Sequence, residues 1–223
     1  MHYRLGQLAV ILLIFGLVKT SATVFYVDLN CASPAPPYTN WAGAATNIQA
    51  AIDLATAGDL VVVTNGTYNT GGRAVYGSAT NRVVVDKAIT VQSVNGAAAT
   101  SIVGSNNPAA SRLVRCVYLT NGASLVGFTL MNGSAQFSGN VTNEQSGGGV
   151  WCESSSAIIS NCTIVGGYAN QYGGGAYQGT LNNCVVSNNQ AFFSGVFGNA
   201  THHHHAVRRL NLRLHGARGA MGH

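Results

Sequence analysis

Gly147-Gly148-Gly149-Val150-Trp151, followed by Asn161-Cys162-Thr163-Ile164, recurs as Gly173-Gly174-Gly175-Ala176-Tyr177 followed by Asn183-Cys184-Val185-Val186. The two Asn-Cys pairs are 22 residues apart, and a degenerate third copy begins at Ser194-Gly195-Val196-Phe197. Short apolar runs with glycine and asparagine at the corners, returning every 20–25 residues or so, are the mark of strands stacked coil upon coil. Working back from there, Gly127-Phe128-Thr129-Leu130 aligns with Asn161-Cys162-Thr163-Ile164 at an offset of 34, one repeat of 22 plus a 12-residue insertion over 135–146. The alignment defines two inward columns, Phe128, Cys162 and Cys184 in one and Leu130, Ile164 and Val186 in the other. Parallel strands about 4.8 Å apart put such residues directly over one another. Asn161 and Asn183 fall at matching corners, where asparagine tolerates left-handed backbone and its amide can bond along the stack. The insertion is rich in Gly, Asn and Ser and is expected to protrude as a loop.

Ahead of the repeats, the sequence predicts a short strand over 24–28, a proline-bearing loop over 31–45 and one helix. Thr46 and Gln49 are expected to form a capping box, Ile48, Ile52 and Ala55 to share a face, and Gly58 to stand just past the end as a stop. An amphipathic helix there covers the open end of a stacked core, which would otherwise be wet and edge-exposed. Strands are expected over 60–64, 83–85, 88–93, 114–119 and 124–130, with a turn at Asn65-Gly66-Thr67 and Ile102-Val103 on a return side. The Asn-x-Ser/Thr sequons at Asn65, Asn132, Asn140, Asn161 and Asn199 are read as turns.

Residues 1–22 have the build of an export signal. Arg4 lies in the basic start, 8–18 form an apolar run of 11 residues, and Thr20-Ser21-Ala22 supply the small residues of a cleavage site, leaving Thr23 as the mature start. The run is short of the roughly 20 residues that span a bilayer, so no membrane span is expected after cleavage. The expected location is extracellular, either secreted or on the cell surface.

The formal net charge of +5 is carried by the ends. Between 23 and 200, five basic residues (Arg73, Arg82, Lys87, Arg112, Arg115) face six acidic ones (Asp28, Asp53, Asp59, Asp86, Glu144, Glu153), a net of −1. That balance is no nucleic-acid footprint. All seven histidines are His2 or lie in 201–223, at His202 to His205, His215 and His223. The body therefore has no histidine triad, general base or metal ligand. In 201–223 the repeat stops and His and Arg become frequent. This tail reads as a frame slip or chimaeric end, or as a natural basic tail, and is expected to be unpacked. A bare His run lacks the partners that order a metal site. No C-terminal cap is legible, so the chain is expected to be a piece of a longer one. The organisation is then 1–22 signal, 23–59 cap, 60–200 coils and 201–223 tail.

Five cysteines permit disulfides in an exported chain, but the number is odd and the spacing fits no zinc pattern. Cys162 and Cys184 stack in one column and are expected as unpaired core thiols. Cys31, Cys116 and Cys152 have no activating base in view.

Ile48-Gln49-Ala50-Ala51-Ile52, Gly58-Asp59-Leu60-Val61-Val62-Val63 and Asn65-Gly66-Thr67-Tyr68 together resemble the N-terminal cap and first coil of secreted right-handed parallel β-helix proteins, the pectin-lyase-like superfamily. The Gly-Gly-Gly and Asn-Cys repeats also resemble surface β-helix repeats of bacterial autotransporter-like and polymorphic outer-membrane proteins. The resemblance covers about 24–200 and implies an all-β right-handed parallel β-helix with an N-terminal capping helix. It says less about activity, because such caps serve enzymes and non-enzymes alike. The family's enzymes use clustered acids, or Asp-bound calcium with an Arg or Lys base. Calcium is therefore expected only on an enzymatic reading, and otherwise no cofactor or metal.

The residues themselves offer little chemistry. The acids are scattered, and Asp86 with Lys87 reads as a surface pair. Arg112 and Arg115 read as solvated edge charges, with an acidic sugar as the alternative partner. Glu144 and Glu153 are candidates to approach one another. The main functional lead is aromatic: Trp151, Tyr177 and Phe197 follow the glycine motifs in successive coils. If Val150 and Cys152 face the core, alternation turns Trp151 outward. An exposed aromatic stripe is a platform for stacking sugar rings; the other reading is an interior stack. The expected function is a secreted or surface repeat protein with a binding or structural role and a polysaccharide or cell-surface glycan as ligand. The alternative is a polysaccharide lyase or glycoside hydrolase whose acidic site lies beyond this sequence.

Overall fold

The computed structural model describes residues 21–106, 113–193, 195, 197–198, 201–203 and 208–209. The protein is mostly β, with one α-helix among the described residues, and its strands stack in three principal sheets. The first sheet holds Val24–Val27, Leu60–Val63, Thr90–Ser93, Ser124–Val126, Ile158–Ser160, Thr180–Asn182 and Thr201–His203. The second holds Gly66–Tyr68, Thr100–Val103, Thr129–Met131, Thr163–Val165, Val185–Ser187 and Arg208–Arg209. The third holds Arg73–Tyr76, Ala79–Val85, Val114–Leu119, Val150–Cys152, Ala176–Tyr177 and Phe197–Gly198. From Leu60 onward the chain visits first, second and third sheet in that order, again and again. Neighbours pair in parallel, except that Arg73–Tyr76 folds back antiparallel on Ala79–Val85 as a hairpin.

The expected register holds. Thr129 pairs with Thr163 and Thr163 with Val185, so Leu130, Ile164 and Val186 form one column. These three, with Phe128, Cys162 and Cys184, are buried in one apolar cluster fed by all three sheets. All five cysteines are free. The Cys162 thiol lies against the Ser160 carbonyl at 3.2 Å and Cys184 against that of Ile159 at 3.4 Å. At the corners, Asn161 and Asn183 adopt φ of 52° and 50°, and the Asn183 amide donates to Asn161 Oδ1 at 2.6 Å. The triple glycines run in register, Gly149 N–H donating to the Gly174 carbonyl at 3.1 Å. A Cβ on Gly148 would strike the backbone of Tyr168, and one on Gly174 that of Gln190. The glycines thus let a further small sheet, Tyr168–Ala169 with Gln190–Ala191, press against the stack.

The helix, Ile48–Leu54, buries Ile48, Ala51 and Ile52 against the first level. Its N-cap is Asn47, whose side chain accepts from Ala50 N–H at 2.8 Å, rather than the expected Thr46. Asparagine and threonine are both good caps, and adjacent cap-forming residues leave the choice to tertiary geometry. Gln49 is thereby released from a capping box. Its side-chain amide accepts from Val84 N–H at 2.9 Å and donates to the Val84 carbonyl at 3.1 Å, in place of a neighbouring strand. The outer edge of Val24–Val27 is closed by Tyr38 and Ala45 through backbone bonds of 2.8–2.9 Å. Lys87 does not pair with Asp86; its Nζ donates to the Ile52 and Asp53 carbonyls at 2.9 and 3.0 Å, binding the last carbonyls of the helix.

Strand pairing also continues past residue 200. Thr201–His203 lies beside Thr180–Asn182, with His202 in the Leu181 register position, and Arg208–Arg209 lies beside Val186 and Ser187. The backbones of these two segments thus supply the next neighbours of the first and second sheets. The rest of 201–223, and residues 1–20 of the expected signal, lie outside the described residues.

Candidate functional site

Val84, Tyr118, Trp151 and Tyr177 form one column on the third sheet. Their strand neighbours Val83, Val117, Val150, Cys152 and Ala176 belong to the main core, so the column points outward, as alternation requires. Yet Trp151 is only 3% exposed and Tyr177 5%. The expectation of an open stacking stripe is corrected here: outward on this sheet means beneath a cover. Tyr76 of the hairpin sets its ring edge-on to Trp151 at 5.4 Å. Trp151 Nε1–H donates to the Thr142 carbonyl at 2.9 Å, and Tyr172 packs alongside. Under this cover the rings of Tyr118 and Trp151 stack at 5.5 Å, and those of Trp151 and Tyr177 at 6.1 Å.

Phe197 does not continue the column. It pairs with Ala176, and Gly198 pairs with Tyr177. Phe197 follows Tyr177 by 20 residues, whereas the pairing step is 21, so Phe197 stands at the Ala176 register position and not at that of Tyr177.

The cover is built by 73–80 and by the insertion 135–146, which lies along the third sheet instead of protruding. Glu144 accepts from Ser78 N–H at 2.8 Å, Ser78 Oγ at 3.0 Å and Asn140 N–H at 3.0 Å, tying insertion to hairpin. The Asn140 and Ser78 N–H groups hold its carboxyl below the usual carboxylate range. Glu153 accepts from the hydroxyls of Tyr76, at 2.6 Å, and Tyr118. The bond to Glu153 raises the Tyr76 hydroxyl pKa; burial, then the same carboxylate, raises that of Tyr118. Both tyrosines stay protonated and act as donors. The two glutamates are thus held by separate partner sets.

Arg115, expected as a solvated edge charge, is 1% exposed. The insertion buries it: its Nη2 donates to the Asn143 carbonyl at 2.7 Å, and burial lowers its pKa to about 9. Arg112 lies outside the described residues. Each carboxylate of the body has a structural partner. Asp53 and Asp86 approach Arg73 at 2.7 and 3.8 Å. Asp28 accepts from Asn30 N–H at 2.9 Å, and Asp59 from Thr23 N–H and Thr56 N–H at 2.7 Å each. Among the described residues no three His, Cys, Asp or Glu gather closely enough to hold a metal ion. A cleft beside the cap is lined by Gln49, Tyr68, Gly72, Arg73 and Arg82, but Arg82 is spent on the carbonyls of Val103 and Gly71.

The exposed aromatics stand elsewhere. Phe137, Phe192 and Phe193 are 49%, 60% and 64% exposed. Phe137 meets Tyr168 edge-on at 5.7 Å, and its carbonyl accepts from the Asn170 amide at 3.2 Å. Phe192 N–H and Phe193 N–H donate to the carbonyls of Ala169 and Gln171, on either side of Asn170, at 3.3 and 3.1 Å. Two distant segments that carry exposed phenylalanines are therefore both bonded to 169–171, the Asn170 amide also donating to Gln145 Oε1. Repeat spacing did not reveal them, because Phe137 sits in the insertion; the doublet Phe192-Phe193, two adjacent large apolar residues just past a strand, was the available signal. No candidate span is present either: among the described residues no helix is long and apolar enough to cross a membrane. Comparison of the chain with protein-family models, curated proteins and solved structures finds no match.

Proposed function

We propose that this chain is a secreted or cell-surface right-handed parallel β-helix of the pectin-lyase-like kind, with a binding or structural role and a polysaccharide as its partner. The repeated first-second-third order of parallel sheets supports the fold reading. The observation that carries the ligand reading is the exposure of Phe137, Phe192 and Phe193, on segments that both bond to 169–171. Exposed aromatic side chains suit a sugar ring, which offers apolar C–H faces and a rim of hydroxyls. Trp151 and Tyr177, under their cover, serve in this reading as the packing that fixes the insertion carrying Phe137.

The test is binding of the chain to a panel of acidic and neutral polysaccharides, beside a Phe137→Ala, Phe192→Ala double variant. Binding lost in the variant, with its unfolding transition retained, is the expected result. No binding to any polysaccharide leaves a structural role. Release of unsaturated or reducing ends would instead establish the enzymatic reading, whose one favouring observation is the half-buried Glu153 carboxylate clasped by two tyrosine hydroxyls.

A further inference from the structure

Thr23 is the residue expected to follow the cleaved signal, and its backbone nitrogen lies 2.7 Å from Asp59 Oδ1. The other carboxylate oxygen accepts from Thr56 N–H at 2.7 Å and Thr56 Oγ1 at 2.9 Å, so the carboxylate is fixed in place. Asp59 is 7% exposed and sits where the chain leaves the cap for Leu60–Val63. Leu60 N–H in turn donates to the Thr23 carbonyl at 2.9 Å. Ser21, Ala22 and Thr23 are exposed, and Val24–Val27 begins one residue later.

We infer that hydrolysis of the Ala22–Thr23 bond makes a new ionic clamp, in which the Thr23 α-ammonium pairs with Asp59 and locks the first strand onto the cap. The inference rests on the reading of 1–22 as an export signal. The export protease breaks the Ala22 C–Thr23 N bond with one water. The hydroxyl goes to the Ala22 carbonyl carbon and the hydrogen to the Thr23 nitrogen, which then takes up a proton. Before cleavage Thr23 offers Asp59 a neutral amide N–H; afterwards it offers a full positive charge at the same atom. A charge-assisted bond is shorter and roughly twice as strong as a neutral one. The register makes the position selective. A cut one residue earlier leaves an amide at Thr23, and a cut one residue later removes the nitrogen that Asp59 holds. Asp59 is thus a reader of correct processing, and the cap reaches full strength only in the chain that has lost its leader.

The experiment has two arms. The full chain is exported from a bacterial host and its N-terminus read by mass spectrometry. Separately, the chain beginning at Thr23 is prepared with a free or an acetylated amine, each with Asp59 or with Asp59→Asn. Acetylation is expected to lower Tm by about 2–4 °C with Asp59, the shift for roughly 1 kcal/mol in a chain of this size, and to leave the Asp59→Asn chain unmoved. Equal shifts in both backgrounds, or none in either, overturn the clamp. Should Asp59→Asn fail to fold, the Thr23 amine's own titration decides: a pKa above the ordinary range of about 7.7–8.0 supports the clamp, and one within it overturns the clamp. An exported chain starting at another residue overturns the processing step and the export reading, even where the synthetic Thr23 chain shows the coupling.

Discussion

Ser101, Thr129, Thr163 and Val185 stand in one outward column of the second sheet, and Val84, Tyr118, Trp151 and Tyr177 in one outward column of the third. The first column is half-exposed or open, Val185 reaching 42%, while the second is buried throughout. Both obey the same alternation and the same stacking. They differ in what lies on top. Ser, Thr and a single Val offer little apolar surface to cover, whereas aromatic rings bury about 150–250 Å² each. A row of rings on an outer face therefore creates a second apolar cluster wherever other segments can reach it. Here 73–80 and 135–146 do so, held by Glu144, Glu153 and the Trp151 indole N–H.

The sharpest way to break that contrast is truncation in each column. Trp151→Ala is expected to cost about 3–5 kcal/mol, as for other buried large aromatics, read from urea unfolding. An effect under about 1 kcal/mol would mean that the cover does not pack in solution. Next comes Cys162→Ser in the shared core, where a hydroxyl replaces a thiol in an apolar column; about 1–3 kcal/mol is expected. A neutral result would show that the serine hydroxyl takes over the bond to the Ser160 carbonyl without loss. Tyr118→Phe removes one of the two hydroxyls on Glu153 and is expected to cost about 0.5–1.5 kcal/mol. It should also speed hydrogen exchange at the hairpin more than in the second sheet. Thr163→Ala marks the bare face and is expected within about 0.5 kcal/mol of the parent. A larger loss there would show that the second sheet, too, has an outer partner.

These differences also mark where the sequence could be read. Cys162 and Cys184 were placed correctly because alternation and a constant spacing act together, and each constrains the other. The outward turn of Trp151 followed from the same rule. Its burial did not, because the covering residues Tyr76 and Thr142 come from segments without periodicity, one 75 residues away in the chain. Arg115 was misread for that reason: the carbonyl that shelters it, Asn143, belongs to the insertion. Phe197 differs in another way: its spacing is one residue out, which moves it to the Ala176 register position. For the cap helix, its existence and buried face were legible, while the exchange of roles between Asn47 and Gln49 was not. Gln49 finds its partner, Val84, 35 residues on.

That glutamine gives the molecule a direction. Gln49 on Val84, with Tyr38 and Ala45 on Val24–Val27, closes the edges at the helix end from within the first coil. Each later level is laid against the one before it, and the hairpin of the first level is also tied forward to Glu144 and Glu153. Removing Glu144 and Glu153 with the later levels would release the hairpin 73–80 but leave the closure at the helix end in place. Shortening the chain from the near end uncovers a raw edge and the end of the apolar cluster at once. The helix end is thus sealed by its own residues, with one side-chain amide standing in for a strand beside Val84.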